Sequence, residues 1–312
     1  MTTFDDGLYQ YGGMPVGSGL IPFGPDSQAF FVDPANGSDS NDGTTPAHAK
    51  ASVLAAYNLT TSGNNDVVYY IGGATADTVT ATLTWANDYT HLIGLSSPLP
   101  GVGQRCRLVA AAANDVTSVI TWSSDGSICM NMQFMNGSDA DVDSGAVVVS
   151  GHRNAFINCM ISGMGHATPG ARAGSYSLTV SGVENHFSKC YVGLDTITRA
   201  AANAELLITG SKDSYWDCTF ASFSDTAAHF AVNVTGAGTH TFKRCMFHNM
   251  STNAATPLTD AFSVTVGTTH YILLDPACMS IGYTGWSDTV GSLYSSGPAA
   301  NAGFGLATNP TA

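Results

Sequence analysis

Carboxylate and amide side chains are the residues of this sequence best suited to binding a metal ion, and they cluster in two runs. Hard oxygen ligands of this kind suit calcium, but neither run has the spacing of an EF-hand or its closing Glu. We therefore predict Asx turns in the first run and a solvated loop in the second, with calcium as the alternative. The first run contains Asp33, Asn36, Asp39, Asn41 and Asp42, and the second contains Asp139, Asp141 and Asp143.

Glycan cleavage would require two or three carboxylates that converge on one surface. Three charged residues occupy equivalent positions of an internal repeat, which is described below: Lys189, Asp217 and Arg244. We interpret them as ion pairs between neighbouring repeat units. The His residues lack metal-binding spacing, and no nucleophile motif is present. We therefore expect no enzymatic activity and no catalytic, cofactor or metal site. The remaining carboxylates considered occur singly in loops, at Asp195, Asp225 and Asp260.

The composition excludes several classes of partner. Only 11% of the 312 residues are charged, and 10 Lys and Arg against 23 Asp and Glu give a net charge of -13. Nucleic-acid binding requires clustered cations, and anionic membrane surfaces attract them too, so we expect neither partner. No apolar stretch is long enough to span a bilayer. The acidic N-terminus lacks the features of a secretory signal, which predicts synthesis in a cytoplasm.

An internal repeat must position these side chains. Four segments align without gaps, and each has a Gly followed 8 or 9 residues later by a Cys. Successive cysteines are 31, 28 and 27 residues apart, so a near-constant block alternates with filler of variable length. This pattern indicates a fixed structural unit that carries loops on one side. The repeated cysteines are Cys159, Cys190, Cys218 and Cys245.

The residues within each block alternate with a period of two. Aliphatic residues such as Val147 and Val149 precede the Gly at every second position, which is typical of a strand with one buried face. A unit this short cannot bury its own apolar face and must stack on its neighbours, about 4.8 Å away. We predict that the four cysteines form one column of small buried hydrophobes, with disulfides between coils as the alternative. A β-sandwich, the other fold considered, would show turns every 8 to 12 residues without the longer recurrence. The slots between inward positions are predicted to face outward at Asn158, Lys189, Asp217 and Arg244.

A short helix is predicted over residues 47–58, with Val53, Leu54 and Tyr57 on its apolar side. Such a helix would plug one open end of the stack and shield its edge strands.

The run 31–43, followed by this helix and then by residues 66–73, resembles the N-terminal part of the pectate-lyase-like parallel β-helix superfamily. The resemblance covers roughly residues 30 to 280. It implies an all-β chain that forms a single-stranded right-handed parallel β-helix, a pectate-lyase-like solenoid with a short N-terminal capping helix. That superfamily includes polysaccharide lyases and hydrolases, phage tailspikes and virion-surface proteins, so the fold alone does not assign a function.

Residues 8–17, with the sequence Leu-Tyr-Gln-Tyr-Gly-Gly-Met-Pro-Val-Gly, resemble the leader of certain phage virion proteins. We predict an extended arm over residues 1–28, the β-helix over 29–285 and an extended Gly/Ala-rich tail over 286–312. An arm of this kind orders when it binds a partner surface. A disordered leader, or coil packed on its own domain, is the alternative. The predicted capsid-docking residues are Tyr9, Tyr11, Met14, Pro15 and Val16.

This resemblance implies a structural virion protein on the capsid surface, a decoration or cement protein. We expect its arm to bind the major capsid protein or another virion protein, and the chain to form a homotrimer through its low-charge surface. Two alternatives stay open. One is a tailspike-like glycan depolymerase, and the other is a protein that binds a host surface glycan through exposed aromatic residues. The candidates for that contact are Trp85, Trp122, Trp216 and Trp286.

Overall fold

The computed structural model describes residues 10–11, 14–15, 26–95, 106–250, 258–265, 270–288, 293–295 and 307–308. Their strands form a parallel β-solenoid of about 7 turns, and each complete turn adds one strand to each of three sheets. The predicted parallel β-helix is therefore confirmed. Among the described residues, no helix is long and apolar enough to cross a membrane.

Strands are numbered in chain order. A separate antiparallel pair near the N-terminus consists of β1 (Gln10–Tyr11) and β2 (Met14–Pro15). Sheet 1 contains β3 (Ala29–Val32), β4 (Val67–Ile71), β7 (His91–Leu95), β10 (Ile128–Met130), β13 (Ala155–Ile157), β16 (His186–Ser188), β19 (Ser214–Trp216), β22 (Gly238–Lys243), β25 (His270–Leu274), β28 (Leu293–Ser295) and β29 (Ala307–Thr308).

Sheets 2 and 3 complete each turn. Sheet 2 contains β5 (Asp77–Val79), β8 (Arg107–Ala110), β11 (Gln133–Asn136), β14 (Met160–Ser162), β17 (Tyr191–Gly193), β20 (Thr219–Phe223), β23 (Met246–Met250) and β26 (Met279–Ile281). Sheet 3 contains β6 (Leu83–Trp85), β9 (Ser118–Trp122), β12 (Gly145–Val149), β15 (Tyr176–Val180), β18 (Ala204–Ile208), β21 (Phe230–Val234), β24 (Leu258–Val264) and β27 (Tyr283–Ser287). The predicted domain boundary at residue 285 falls inside β27.

Helical structure is short. A 3-10 turn covers Pro46–His48, α1 covers Val53–Tyr57, and α2 covers Ala167–Gly170. The predicted capping helix is therefore present but shorter than 47–58. The Ser52 side chain caps α1 by accepting a hydrogen bond from the Ala55 amide at 3.2 Å.

The buried side of α1 closes the N-terminal end of the core. Val53 and Tyr57 are buried, and the Tyr57 ring lies 4.6 Å from that of Trp85. The prediction for Leu54 was wrong, because 52% of this residue is exposed. The buried positions of α1 are Val53, Ala56 and Tyr57, spaced three and four residues apart, and Leu54 lies on the opposite side of the helix.

Equivalent side chains lie above one another in the core. The rings of Phe156, Phe187, Tyr215 and Phe242 stack with centroids 5.0, 5.1 and 4.7 Å apart and with planes within 11° of parallel. These spacings match the distance between adjacent strands of a sheet, so each coil brings its aromatic ring directly onto the next.

The structure places Cys159, Cys190, Cys218 and Cys245 at equivalent positions of four successive coils. In the second, third and fourth of these coils, the residue after the cysteine donates its amide to the carbonyl oxygen of the cysteine one coil earlier, at 2.9 Å. All seven cysteines of the chain are free thiols, so the disulfide alternative is not found. Burial raises the pKa of the Cys159 thiol well above its ordinary value, which leaves it protonated and inert.

The chain turns sharply between sheets 1 and 2, at positions predicted to be outward slots of a strand. Asn158, Lys189, Asp217 and Arg244 have φ angles of 54°, 55°, 55° and 52°, so they occupy the left-handed region. One such residue per coil redirects the backbone. Lys189, Asp217 and Arg244 are at least partly exposed, but they lie in a turn and not in a strand. The outward prediction for Asn158 was wrong, because this residue is only 5% exposed and its Nδ2 donates to the Asn131 Oδ1 at 2.8 Å.

The repeated Gly lies in the turn between sheets 3 and 1. A Cβ atom on Gly182 would collide with the carbonyl oxygen of Gly151, and one on Gly210 would collide with that of Gly182. Close backbone contact between stacked coils therefore accounts for this Gly in every block.

Candidate functional site

An exposed corner of the solenoid brings charged side chains together at the turn between sheets 1 and 2. Arg244 binds Asp217 of the preceding coil through two hydrogen bonds, from Nε to Oδ1 at 2.6 Å and from Nη2 to Oδ2 at 2.7 Å. These bonds lower the pKa of the Asp217 carboxyl, and Lys189 and Lys243 nearby lower it further. The predicted pairing between coils therefore forms, with Arg244 as its cation.

Trp216 lies beside this corner on the outer face of sheet 1. It is 40% exposed, and the Lys243 ammonium lies 5.2 Å from its ring centroid in a cation–π contact. The His186 ring meets the Trp216 ring edge-on at 4.7 Å. Trp216 is therefore held by contacts on two sides while part of it remains open to solvent.

The other three tryptophans do not form an exposed row, so that part of the glycan-binding alternative was wrong. Trp85 and Trp122 are completely buried and stack at 4.8 Å, while Trp286 is 8% exposed and packs on Phe247. The alternation of inward and outward residues along the strand explains why Trp122 is buried. Trp122 occupies the inward position that Val149 occupies one coil later.

We name the set Lys189, Trp216, Asp217, Lys243 and Arg244 the cationic corner. The net charge of the whole chain is -13, yet three cations here face a single carboxylate of the set. The pKa of the Arg244 guanidinium is raised chiefly by its hydrogen bonds to Asp217, and a further carboxylate nearby raises it more, so the excess positive charge is small. An aromatic face beside guanidinium and ammonium groups can bind a sugar ring that carries a carboxylate. That further carboxylate is Asp275.

A buried polar network at the corner between sheets 2 and 3 was missed by the sequence analysis. Arg199 and Glu205 have completely buried side chains and pair at 2.7 Å, from Nε to Oε1. The Arg199 Nη1 also donates to the carbonyl oxygens of Met164 at 3.0 Å and Ile197 at 2.9 Å, and Ser177 donates to Glu205 Oε2. Because both charged groups are sealed from solvent, the network holds loops in place and presents no surface to a ligand.

His229 lies close to this network and is buried as well. Its Nδ1 lies 2.8 Å from the Asn203 Oδ1, and burial, aided by the charge of Arg199, lowers the pKa of His229 to about 3. The imidazole is therefore neutral at physiological pH.

The first acidic run forms turns, as predicted. Asp33 Oδ1 accepts the amides of Ala35 and Asn36 at 3.0 and 3.2 Å, which is an Asx turn. Asp39 fastens the run to the segment before α1 by accepting the amides of Ala51 and Ser52 at 2.9 Å.

The second acidic run is exposed and paired with one cation. Arg172 donates to Asp141 at 2.7 Å and to Asp143 at 3.0 Å, and both carboxylates are more than half exposed. Across the described ranges, no group of three or more His, Cys, Asp or Glu residues is arranged to hold a metal ion.

Two shallow grooves are formed by described residues. One of about 400 Å³ lies beside α1 and is lined by Leu54, Tyr57 and Asp77 among others. The second, of about 200 Å³, lies on the outer face of sheet 3, where Tyr176 and Asp143 form part of its wall. Neither groove includes the cationic corner.

The predicted docking arm is described only in part. Tyr11 lies in β1 and Met14 and Pro15 lie in β2, where Tyr11 is the register partner of Met14. Tyr9 and Val16 lie outside the described residues. The docking role of these five residues stays a prediction.

No protein-family model and no curated protein matches the sequence. Among solved structures, a pectin methylesterase mutant in complex with a hexasaccharide is 17% identical over 84% of this chain and 81% of its own, with a TM-score of 0.54. The pectin methylesterase of Yersinia enterocolitica is 12% identical over 77% of this chain and 82% of its own, with a TM-score of 0.52. These likenesses define the fold class, a right-handed parallel β-helix of the pectate-lyase-like kind.

A viral protein is also similar in fold. ORF18 of Geobacillus virus E2 is 10% identical over 82% of this chain and 59% of its own, with a TM-score of 0.39. A likeness of this size indicates neither a shared function nor a shared location.

The expectation that the chain is not an enzyme was wrong. The solved structures that resemble it are mostly enzymes, among them the two pectin methylesterases, so the fold itself is compatible with catalysis. The absence of paired carboxylates in the repeat could not exclude activity, because loops between strands can supply catalytic groups from different coils. At 10 to 17% identity the likeness does not specify a reaction.

Proposed function

We propose that the chain is a structural protein of a bacteriophage virion, a decoration protein that binds the capsid shell through residues 1–28. The observation that carries the proposal is the uninterrupted stack of coils. Eleven strands in sheet 1, spaced about 4.8 Å apart, correspond to a rod about 50 Å long. Backbone hydrogen bonds and stacked rings join each coil to the next, so such a rod can project from a shell as a rigid body.

Two features of the sequence support the location. The N-terminal residues resemble the leader of phage virion proteins, and the low content of Lys and Arg disfavours contact with nucleic acid inside a particle. The proposed partner is the major capsid protein or another virion protein.

Binding to the shell tests this proposal. Purified protein would be mixed with capsids stripped of it and sedimented, and we expect the wild-type chain to co-sediment at a fixed ratio. The double variant Tyr9→Ala/Tyr11→Ala should lose this binding, while Trp216→Ala, on the outer face of the rod, should keep it. Co-sedimentation that both variants retain would refute docking through the arm.

Glycan binding is the second candidate function, and the cationic corner is the observation that favours it. Trp216 offers an aromatic face, and Lys243 and Arg244 offer donors to a carboxylate. A solved structure of the same fold was determined in complex with a hexasaccharide, which supports the same class of ligand.

Calorimetric titration with oligogalacturonate tests the second function, with a neutral oligosaccharide of equal length as the control. Binding should be lost in Trp216→Ala and weakened by salt. Equal affinity for the neutral oligosaccharide would contradict recognition of charge. Chromatography of the products after prolonged incubation would show whether the chain also cleaves or de-esterifies the glycan.

A further inference from the structure

The outer face of sheet 2 carries a row of large apolar side chains near the C-terminal end of the rod. Inward positions such as Phe220 and Phe247 are buried, so the residues on either side of them point out. In register, Met160 is the partner of Tyr191, Met246 is the partner of Met279, and Phe223 is the partner of Met250. The small polar residue Thr219 lies between Tyr191 and Met246. We name this set the methionine face: Met160, Tyr191, Phe223, Met246, Met250, Met279 and Ile281.

The methionine face is most exposed to solvent on its last two strands. Met250, Met279 and Ile281 are 47, 54 and 48% exposed, and they lie on the adjacent strands β23 and β26. Scattered exposed apolar residues are ordinary on a protein surface, but a contiguous group is typical of an interaction site. Methionine is common in such surfaces because its flexible thioether adapts to an opposing surface.

The charge of the face indicates the partner. The chain as a whole has a net charge of -13, so two copies repel each other over most of their surfaces. The outward strand positions described from β8 to β26 contain Arg107 and His248 but no Asp or Glu. On this face two copies can approach without bringing carboxylates together, and apolar contact is not opposed.

The geometry also fits a second copy. The face is built from parallel strands at a regular spacing, and five strands from β14 to β26 extend about 19 Å along the rod. Two or three rods that pack side by side, with their axes parallel, bring the same coil of each copy to the same level. Met246 and Met279 of one copy then meet apolar residues of the next, which is the self-complementarity that a symmetric oligomer requires.

We propose that the methionine face is the contact between copies of this chain in a side-by-side oligomer. It provides the apolar centre of the interface, and the polar edges of the sheet provide the rim. The proposal does not depend on the location in a virion, because the contact forms between copies wherever the protein resides.

Light scattering coupled to size-exclusion chromatography of the full chain tests the proposal. We expect a mass that is a multiple of 32.2 kDa for the wild type. The variant Met279→Glu/Ile281→Glu should give a monomer at the same concentration, because burying two carboxylates in the contact is unfavourable. Leu54→Glu replaces an equally exposed apolar residue outside the face and should leave the mass unchanged.

A wild-type monomer at all concentrations up to about 100 μM, a typical upper limit for a weak contact, would overturn the proposal. Loss of the oligomer in Leu54→Glu to the same extent would overturn it too. Oxidative crosslinking gives a result that does not depend on the acidic variant folding. In a Cys278→Ser background, which removes the one partly exposed native thiol, Met279→Cys should form a covalent dimer at least tenfold faster than Leu54→Cys, and equal rates would refute a contact at this face.

Discussion

Asp213 offers a sharp test of how the stacked coils are stabilised. It lies in a buried column at the turn between sheets 3 and 1, where each side-chain oxygen accepts the backbone amide of the preceding coil. Asn154 accepts from Ser127 at 2.9 Å, Asn185 accepts from Asn154 at 3.0 Å, and Asp213 accepts from Asn185 at 3.0 Å. Burial raises the pKa of Asp213 to about 7, even though the His240 Nδ1 lies 3.6 Å from its Oδ2.

The sign of the effect follows from the two pKa values. The ordinary pKa of Asp213 is 3.8 and its folded value is about 7, so the folded protein binds this proton more tightly than the unfolded chain. The free energy of unfolding therefore falls as pH rises from about 4 to about 7. The difference between these two pKa values corresponds to at most about 4 kcal/mol.

Asp213→Asn removes the charge and keeps the oxygen that accepts the Asn185 amide. We expect this variant to raise the free energy of unfolding by about 1–3 kcal/mol at pH 8 and to change it by less than about 0.5 kcal/mol at pH 4. Urea denaturation followed by circular dichroism at both pH values measures the difference.

The control for this experiment is Asp217→Asn, a more exposed carboxylate that Arg244 stabilises. Because the pKa of Asp217 is lowered, its removal should slightly reduce stability at pH 8, which is the opposite direction. A loss of about 1 kcal/mol or more in Asp213→Asn at pH 8 would refute the reasoning. It would mean that a charged Asp213–His240 pair stabilises the column.

Further predictions concern the buried network, the aromatic column and the thiols. Glu205→Gln should cost about 3–5 kcal/mol in urea denaturation because it leaves the Arg199 charge buried without its carboxylate, and a cost below about 1 kcal/mol would contradict the pairing. Phe187→Ala should cost about 3–5 kcal/mol by opening a cavity in the ring stack, whereas Trp216→Ala on the surface should cost under about 1 kcal/mol. In the native protein a thiol reagent should modify Cys278 first, since it is the one cysteine that is not fully buried; several thiols reacting together at once would show that the column is accessible.

The fold was predictable because its information is local and repeated. The Gly-to-Cys block has nearly constant length, and the alternation of apolar and polar residues beside it indicates which side chains point inward. The same alternation also places Trp122 on the inward side with Val149, which is why Trp122 is buried and not an exposed aromatic residue. The left-handed turn was less visible, because only Asn158 and Asp217 are of residue types that favour this conformation, and Lys189 and Arg244 occupy the equivalent positions of other coils.

The buried Arg199–Glu205 network could not be predicted from the repeat. Arg199 lies in filler of variable length between blocks, so no register relates it to Glu205 or to the carbonyl of Met164, 35 residues earlier. The cationic corner was half visible, because the sequence aligned Asp217 with Arg244. The exposure of Trp216 depends on whether other parts of the chain cover the outer face of sheet 1, and the sequence does not show this.

Cryo-electron microscopy of purified particles of the phage whose genome encodes this chain tests the proposed function most directly. We expect rods of stacked coils that project from the capsid, with residues 1–28 of each chain lying against a capsid protein. Purified particles that lack the chain, or rods that are held to the particle by another part of the β-helix while the arm points away, would contradict it.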